Sequence, residues 1–411
     1  MEDKKSIVVT GIGVFTSIGC TRDDFWNSLI VGRSGINRIQ TFDPKDHKSQ
    51  IASEIMDYKP EDYFDRKESR KMARVSQLST SAAIEAVKDA GLDLNNEDRS
   101  RIGCVIGVGG GDYTHFEEQH IRYLKMGPGS VNPITVPRII PNMPASNATI
   151  HLGIHGPTLG VTAACTTGTH SIGIALGLLR GGMADVILAG GAESALTPLV
   201  IDAYASMGVL STRNDKPEMA SRPFDLNRDG FVIGEGAGVL VLETLEHAEK
   251  RGARQLAFLR GFGMTSDAYG IAAPEPGGIW AAAAMENAVK DADLDLEDIG
   301  YINAHGTSTR VNDKTETLAI KKAFKNRNIP VSSCKSMIGH TLGAAGAIEA
   351  AATVLSVHHG ILPPTINFET RDPECNIDVI PNIAREVKIK AAISNSFGFG
   401  GQNGVLVFSR T

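Results

Sequence analysis

A cysteine and two histidines, Cys165, His305 and His340, have surroundings that read as chemistry. Cys165 stands in VTAACTTGTH, where a strand-like run passes into a helix. A thiol at a helix N-terminus feels the positive end of the helix dipole, which favours the thiolate and predicts a pKa below the ordinary ~8.5. The free N–H groups of the same turn can hold a developing oxyanion. His305 in NAHGTST and His340 in KSMIGHTLG each follow a strand and touch a glycine in sequence, which suits imidazoles presented at a pocket floor. Two imidazoles can donate hydrogen bonds to an oxygen that gains negative charge, as when a carboxylate leaves and an enolate forms. A simple hydrolase needs only one such base. A lone buried cysteine is more often a small apolar side chain, so the chemical reading rests on the three residues together.

The elements that must position them come in two similar sets. AVKDAGLDL begins at position 86 and AVKDADLDL at position 288, each behind an alanine-rich helical segment and ahead of a strand, RIGCVIGVGG or DIGYINAHGT. A weaker echo links VTAAC at 161 with VSSCK at 331, each leading into a Gly/Ala-rich helix. Two halves of α/β alternation predict two packed parallel-type sheets with helices on their faces, glycine-packed helices forming a central layer. The expected seam near 250 divides the chain into residues 1–252, carrying the cysteine, and 253–411, carrying both histidines. Ligands in open α/β sheets collect at the carboxyl ends of strands, where all three residues fall.

The totals fit this picture. The chain has 411 residues, 42% apolar and 21% charged, an ordinary globular composition for one double-size core. A net charge of -6 argues against nucleic-acid binding through an overall positive field. Five scattered cysteines without CxxC pairs exclude a disulfide framework or zinc ribbon and point to reduced thiols and a cytoplasmic setting. The start, MEDKKSIVVTG, shows no signal core, and the most apolar run is broken by Arg180 and Asp185, so no membrane span is expected.

Four ordered motifs, GPTLGVTAACTTGTHSIG, NAHGTSTRVND, KSMIGHTLGAAG and NSFGFGGQNG, make the whole chain resemble the elongating β-ketoacyl-[acyl-carrier-protein] synthases (synthase II-like) of the thiolase superfamily. The resemblance implies a five-layer αβαβα thiolase-like fold, a homodimer, and decarboxylating Claisen condensation in fatty-acid elongation. Cys165 then takes the acyl group from acyl carrier protein, while His305 and His340 assist malonyl decarboxylation, with Lys335 supporting the second histidine. Phe399, between Gly398 and Gly400, matches a gate whose N–H joins that of Cys165 in the oxyanion hole. Thr307 and Thr309 match hydroxyls that hold the pantetheine arm, which arrives on the carrier protein, so no resident organic cofactor is implied. Ala164, Gly110 and Tyr204 match acyl-pocket positions, the last two where long-chain members often carry isoleucine and phenylalanine. Asn303, Ala304, Glu349, Ser394 and Asn395 match positions that hold a sodium or potassium ion in some members. Arg310 and Gln402 depart from the usual proline and threonine near the substrate arm.

Rival readings are a polyketide-type ketosynthase, a thiolase, a thioester hydrolase and a non-catalytic partner subunit. A thiolase would need a second cysteine where NSFGFGGQNG has none, and a starter-type synthase an asparagine in place of His340. DRKESRKMAR spaces Arg66, Arg70 and Arg74 four apart with Lys67 and Lys71 beside them, predicting one basic helical face. Such a run is usually a solvated face; here the family docks acidic acyl carrier protein on it. His151 and His155 have metal-like i, i+4 spacing but no third ligand nearby, and VIGVGGGD lacks a nucleotide-binding spacing.

Overall fold

The computed structural model describes residues 5–411; residues 1–4, the start of the stretch read as lacking a signal segment, lie outside the described residues. The first half comprises β1 (Ile7–Phe15), α1 (Arg74–Asp89), β2 (Ile102–Val108), α2 (Tyr113–Met126), α3 (Met143–Leu152), β3 (Thr158–Leu159), α4 (Thr167–Arg180), β4 (Val186–Glu193) and β5 (Gly236–Thr244). The second comprises β6 (Ala257–Ser266), α5 (Ile279–Asp291), β7 (Ile299–Asn303), α6 (Arg310–Ala323), β8 (Pro330–Ser332), α7 (Ala345–His359), β9 (Asp378–Val379), β10 (Ala391–Gly398) and β11 (Gln402–Ser409).

The repeated nonamer forms the same joint twice. Gly11 on β1 leaves room for the Ala86 carbonyl, and Gly261 on β6 does so for the Ala288 carbonyl; a Cβ at either would lie 2.3 or 2.4 Å from that oxygen. One residue on, Ile12 N–H donates to Asp89 and Phe262 N–H to Asp291, each at 3.0 Å. Gly91 and Asp293, the one difference between the nonamers, end their helices in the left-handed region at φ 59° and 52°. Glycine adopts that conformation freely and aspartate tolerates it.

The strands form one eleven-stranded sheet in the order β9-β8-β7-β10-β11-β6-β1-β5-β4-β2-β3. β1 and β6 join the halves, with Ile7 opposite Leu259 and Val9 opposite Ala257. The expected pair of parallel-type sheets is corrected on this point. The halves share an edge, and in each half one side is antiparallel: β1–β5–β4 and β6–β11–β10. A connection as short as Phe399–Gly401 can join β10 to β11 only as antiparallel neighbours.

The layers still stack as αβαβα. α1 and α3 cover one face of the first half, α5 and α6 one face of the second, and α4 and α7 lie back to back between them. Their close approach depends on two glycines. A Cβ at Gly168 would lie 2.6 Å from Ala347 N, and one at Gly346 2.7 Å from Thr169 N. α7 is buried on nearly every side, as its unbroken small and apolar sequence requires. No helix among the described residues is long and apolar enough to cross a membrane.

Gly168→Val should lower stability by about 2–3 kcal/mol through overpacking against backbone. Gly177→Ala, where nothing lies within 4 Å, should be neutral or stabilising by up to ~1 kcal/mol. Denaturant midpoints of the two variants check the contrast.

Candidate active site

α4 and α7 each begin with a tight turn, Ala164–Thr166 and Leu342–Ala344, and both turns place their first residue at φ 47°. The counterpart of Cys165 is therefore Gly343; the weaker echo with VSSCK is corrected, because Cys334 lies before the separate short helix Lys335–Ile338. Ala164 takes the unfavourable conformation directly before the nucleophile position, and its carbonyl accepts from Thr167 Oγ1 at 2.7 Å. Ala164 does not line the pocket.

The turns converge. His340 Nε2 and Cys165 Sγ are hydrogen-bonded at 3.1 Å. The His305 ring stands edge-on to His340 at 5.3 Å between centroids, braced by Phe397 at 5.8 Å, and Phe231 packs on His340 at 5.2 Å. Cys165, His305, His340, Thr307, Thr309, Gly398, Phe399 and Tyr204 all line one pocket of about 430 Å³. Thr307 and Thr309 are joined at 2.9 Å through their hydroxyls. Arg310 also lines the mouth.

Lys335 is corrected in its partner. Its Nζ lies 3.4 Å from His305 Nδ1 and pairs with Glu349, so it supports the first histidine rather than the second. An ammonium on Nδ1 fixes the neutral tautomer with its proton on Nε2. Burial, then the Lys335 charge, holds both His305 and His340 well below the ordinary 6.5, so both are neutral donors.

The expected low thiol pKa is also corrected. Burial pushes Cys165 up to about 11, while Lys335 and the N–H groups of Phe399 and Cys165 pull it back. Those two N–H groups face the sulfur, as an oxyanion hole at this turn requires. Gly400 lies outside the pocket, exposed, its N–H donating to Ile271 O at 2.8 Å.

Gly110 is absent from the lining because Tyr113 lies over it: a Cβ there would meet the Tyr113 hydroxyl at 1.8 Å. Asn303, Glu349, Ser394 and Asn395 cluster where β7, β10 and α7 meet. Ser394 is opposite Asn303, whose amide donates to the Glu349 carbonyl at 3.1 Å. Each of the four side chains has a buried oxygen without a protein partner, and Ala304 is buried beside them in the chain. Such an oxygen set fits a monovalent cation.

The basic segment is not one helix. Arg66–Ser69 forms a short turn of helix and α1 starts at Arg74, with buried Met72 and Ala73 between. Arg66, Lys67, Arg70 and Lys71 are exposed. Arg74 turns inward, bidentate on Glu235 at 2.7 and 2.8 Å, so it is removed from the expected docking face. His151 bonds Glu68 at 2.9 Å, and no group of three or more metal-type ligands occurs among the described residues.

Sequence reasoning missed Glu316 and Glu193. Glu316, buried on α6, accepts from His305 N and Gly306 N at 2.9 and 2.7 Å and so fixes the histidine turn. An acid on the buried face of an otherwise amphipathic helix was its signal. Glu193 ends the strand VILAGGAE and is equally buried.

Comparison with known proteins gives one consistent family. Residues 4–248 match the family described as beta-ketoacyl synthase, N-terminal domain, and residues 256–369 its C-terminal domain. A relative from Vibrio harveyi named 3-oxoacyl-[acyl-carrier-protein] synthase 2 is 44% identical over 99% of both chains, and a Synechocystis one of that name 45%. Among solved structures, the ishigamide ketosynthase/chain length factor superposes with TM-score 0.94 at 35% identity, covering 99% of this chain and all of the other. A type II polyketide ketosynthase solved with its acyl carrier protein gives 0.92 at 34%, covering all of both chains.

Iodoacetamide labelling of Cys165 should climb through the alkaline range, with a midpoint above the ~8.5 of a free thiol. Lys335→Met removes the cation that favours the thiolate and should raise that midpoint further. Peptide-resolved mass spectrometry across pH checks both; a lower midpoint in the variant contradicts the assignment.

Proposed function

The chain belongs to the β-ketoacyl synthase family, and on that premise we propose how its residues form a carbon–carbon bond. It is an elongating β-ketoacyl-acyl carrier protein synthase of fatty-acid synthesis, an acyltransferase whose partner is acyl carrier protein. The observation that carries the mechanism is the shared pocket of Cys165, His305 and His340.

Cys165 Sγ attacks the acyl thioester carbonyl, its proton passing to His340 Nε2. The N–H groups of Cys165 and Phe399 hold the oxyanion. Collapse expels the carrier thiolate, which is protonated as the His340 imidazolium gives up its Nδ1 proton through solvent, leaving His340 neutral with its hydrogen on Nε2. Malonyl thioester then enters with its carbonyl oxygen against Nε2–H of both neutral histidines. The bond to its carboxylate breaks, carbon dioxide leaves, and the electron pair forms an enolate stabilised by the two N–H donors. The enolate carbon attacks the acyl carbon, and the Cys165 thiolate leaves. A hydrolase would not need the second imidazole, and a thiolase would need a cysteine absent from 396–404.

Thr307 and Thr309 hold the pantetheine arm through their paired hydroxyls at the pocket wall. Tyr204 bounds the acyl chain on one side. A sodium or potassium ion bound by Asn303, Glu349, Ser394, Asn395 and the backbone near Ala304 would satisfy the orphaned oxygens there. Bound, it would supply fixed positive charge to Glu349, which also pairs with Lys335. The homodimer assembles on the sheet edge, where β3 exposes Leu159 and the α3 helix packed on that strand exposes Ile150. Arg66, Lys67, Arg70 and Lys71 form the smaller basic patch that steers the acidic carrier.

Cys165→Ala should abolish condensation while Cys104→Ala does not, measured as carbon dioxide release with ketoacyl product; equal losses would point to folding. Because the active imidazoles are neutral and their pKa values lie below 6.5, malonyl decarboxylation should keep its rate as pH falls through 6.5. Lys335→Met removes a charge that lowers His305, so its acid limb should move up. Reversing Arg70 and Lys71 to glutamate should raise KM for carrier-bound substrate and leave a small thioester unaffected.

A further inference from the structure

The duplication leaves the Cys165 turn with a twin that does no chemistry. At the first turn, the end of β10 meets the cysteine: a Cβ on Gly398 would lie 3.3 Å from Cys165 N. At the second, the end of β4 meets Gly343, with a Cβ on Gly191 2.5 Å from Gly343 O. β4 and β10 each run eight residues, ending at Glu193 and Gly398, so the two ends correspond. Where the active turn offers its N–H groups to sulfur and oxyanion, the twin offers Gly343 N–H to Glu193 Oε2 at 3.1 Å. The same oxygen accepts from Gly109 N at 2.9 Å.

We propose that Glu193 is a positioning residue of the condensation, an internal carboxyl group that fills the twin of the Cys165 turn and holds the His340 turn against the nucleophile. Gly343 stands just past His340 and Leu342, both in the pocket wall. Gly109 follows β2 on the cysteine side. One carboxylate oxygen thus ties a turn of each half, and the fit admits nothing else: a Cβ on Gly343 would lie 2.4 Å from Gly109 N and 2.8 Å from that oxygen. Glu193 is 1% exposed, and its Oε1 has no protein partner. The titratable groups that feel its charge are Cys165, Tyr113 of α2 and Tyr204, and each thiol or phenol is pushed up by it after burial. Burial raises Glu193 itself to about 7 against the pull of the Gly343, Gly109 and Gly110 N–H groups. Its charge therefore varies near neutral pH.

The inference rests on the condensation reading, and two variants of the full protein test it. Glu193→Ala should lower kcat of condensation between about tenfold and a hundredfold through misplacement of His340, with KM for malonyl carrier changed less than about threefold. Glu193→Gln keeps an oxygen for both N–H groups and should restore most of kcat. Having lost the charge that raises the thiol, it should also move the Cys165 alkylation midpoint down. An alanine variant within about twofold of wild type, or a glutamine variant with an unmoved midpoint, overturns the proposal. Should the alanine variant fail to fold by circular dichroism, the glutamine midpoint decides alone. Wild-type protein that takes no acyl group on Cys165 would overturn the condensation reading instead, since the alkylation midpoint is read without substrate.

Discussion

The approach of α4 to α7 across Gly168 and Gly346 is the contact on which the site depends. Neither helix carries bulk at the crossing, so the turns that open them meet. Cys165 comes from one turn, and His340 lies just ahead of the other. Sulfur and imidazole are separated by 175 residues in sequence and by 3.1 Å in space. The outer joints, Gly11 on Ala86 and Gly261 on Ala288, repeat the same device and fix each half around the central pair.

A site built this deep must hold charges that water does not reach, and an unpaired buried charge costs several kcal/mol. The chain meets that cost chiefly with backbone N–H groups and with one ion pair. Glu316 receives the His305 and Gly306 N–H groups, Glu193 those of Gly109 and Gly343, and Lys335 takes Glu349. Glu316 and Glu193 each fix a turn that carries or adjoins a histidine of the pocket. Burial keeps both imidazoles neutral, which is the form that donates to an enolate oxygen without surrendering a proton. It also keeps the resting thiol protonated, hydrogen-bonded to the histidine at 3.1 Å.

Much of this was legible in the residues. The nonamer repeat announced two halves because its alanine and aspartate serve the same strand contact in each. Cys165, His305 and His340 were legible because their neighbours are glycines and small residues at strand ends. What pattern could not give was direction and pairing in space. The sheet is continuous and mixed because β1 and β6 meet edge to edge, a contact no local period encodes. Cys334 resembled Cys165 in its flanks, yet the true twin is a glycine, identified by a shared φ of 47° at the preceding residue. Arg74 read as part of a basic stripe until Glu235, distant in sequence, drew it inward. Lys335 was legible as support, but only the fold shows that it serves His305.

The most direct measurement is a crystal structure of the protein acylated on Cys165 and bound to a non-decarboxylating malonyl-pantetheine analogue. The account predicts the analogue's thioester oxygen within hydrogen-bond reach of Nε2 on both His305 and His340, and its reacting carbon facing the acyl group. An analogue seated with that oxygen in contact with neither imidazole would contradict it.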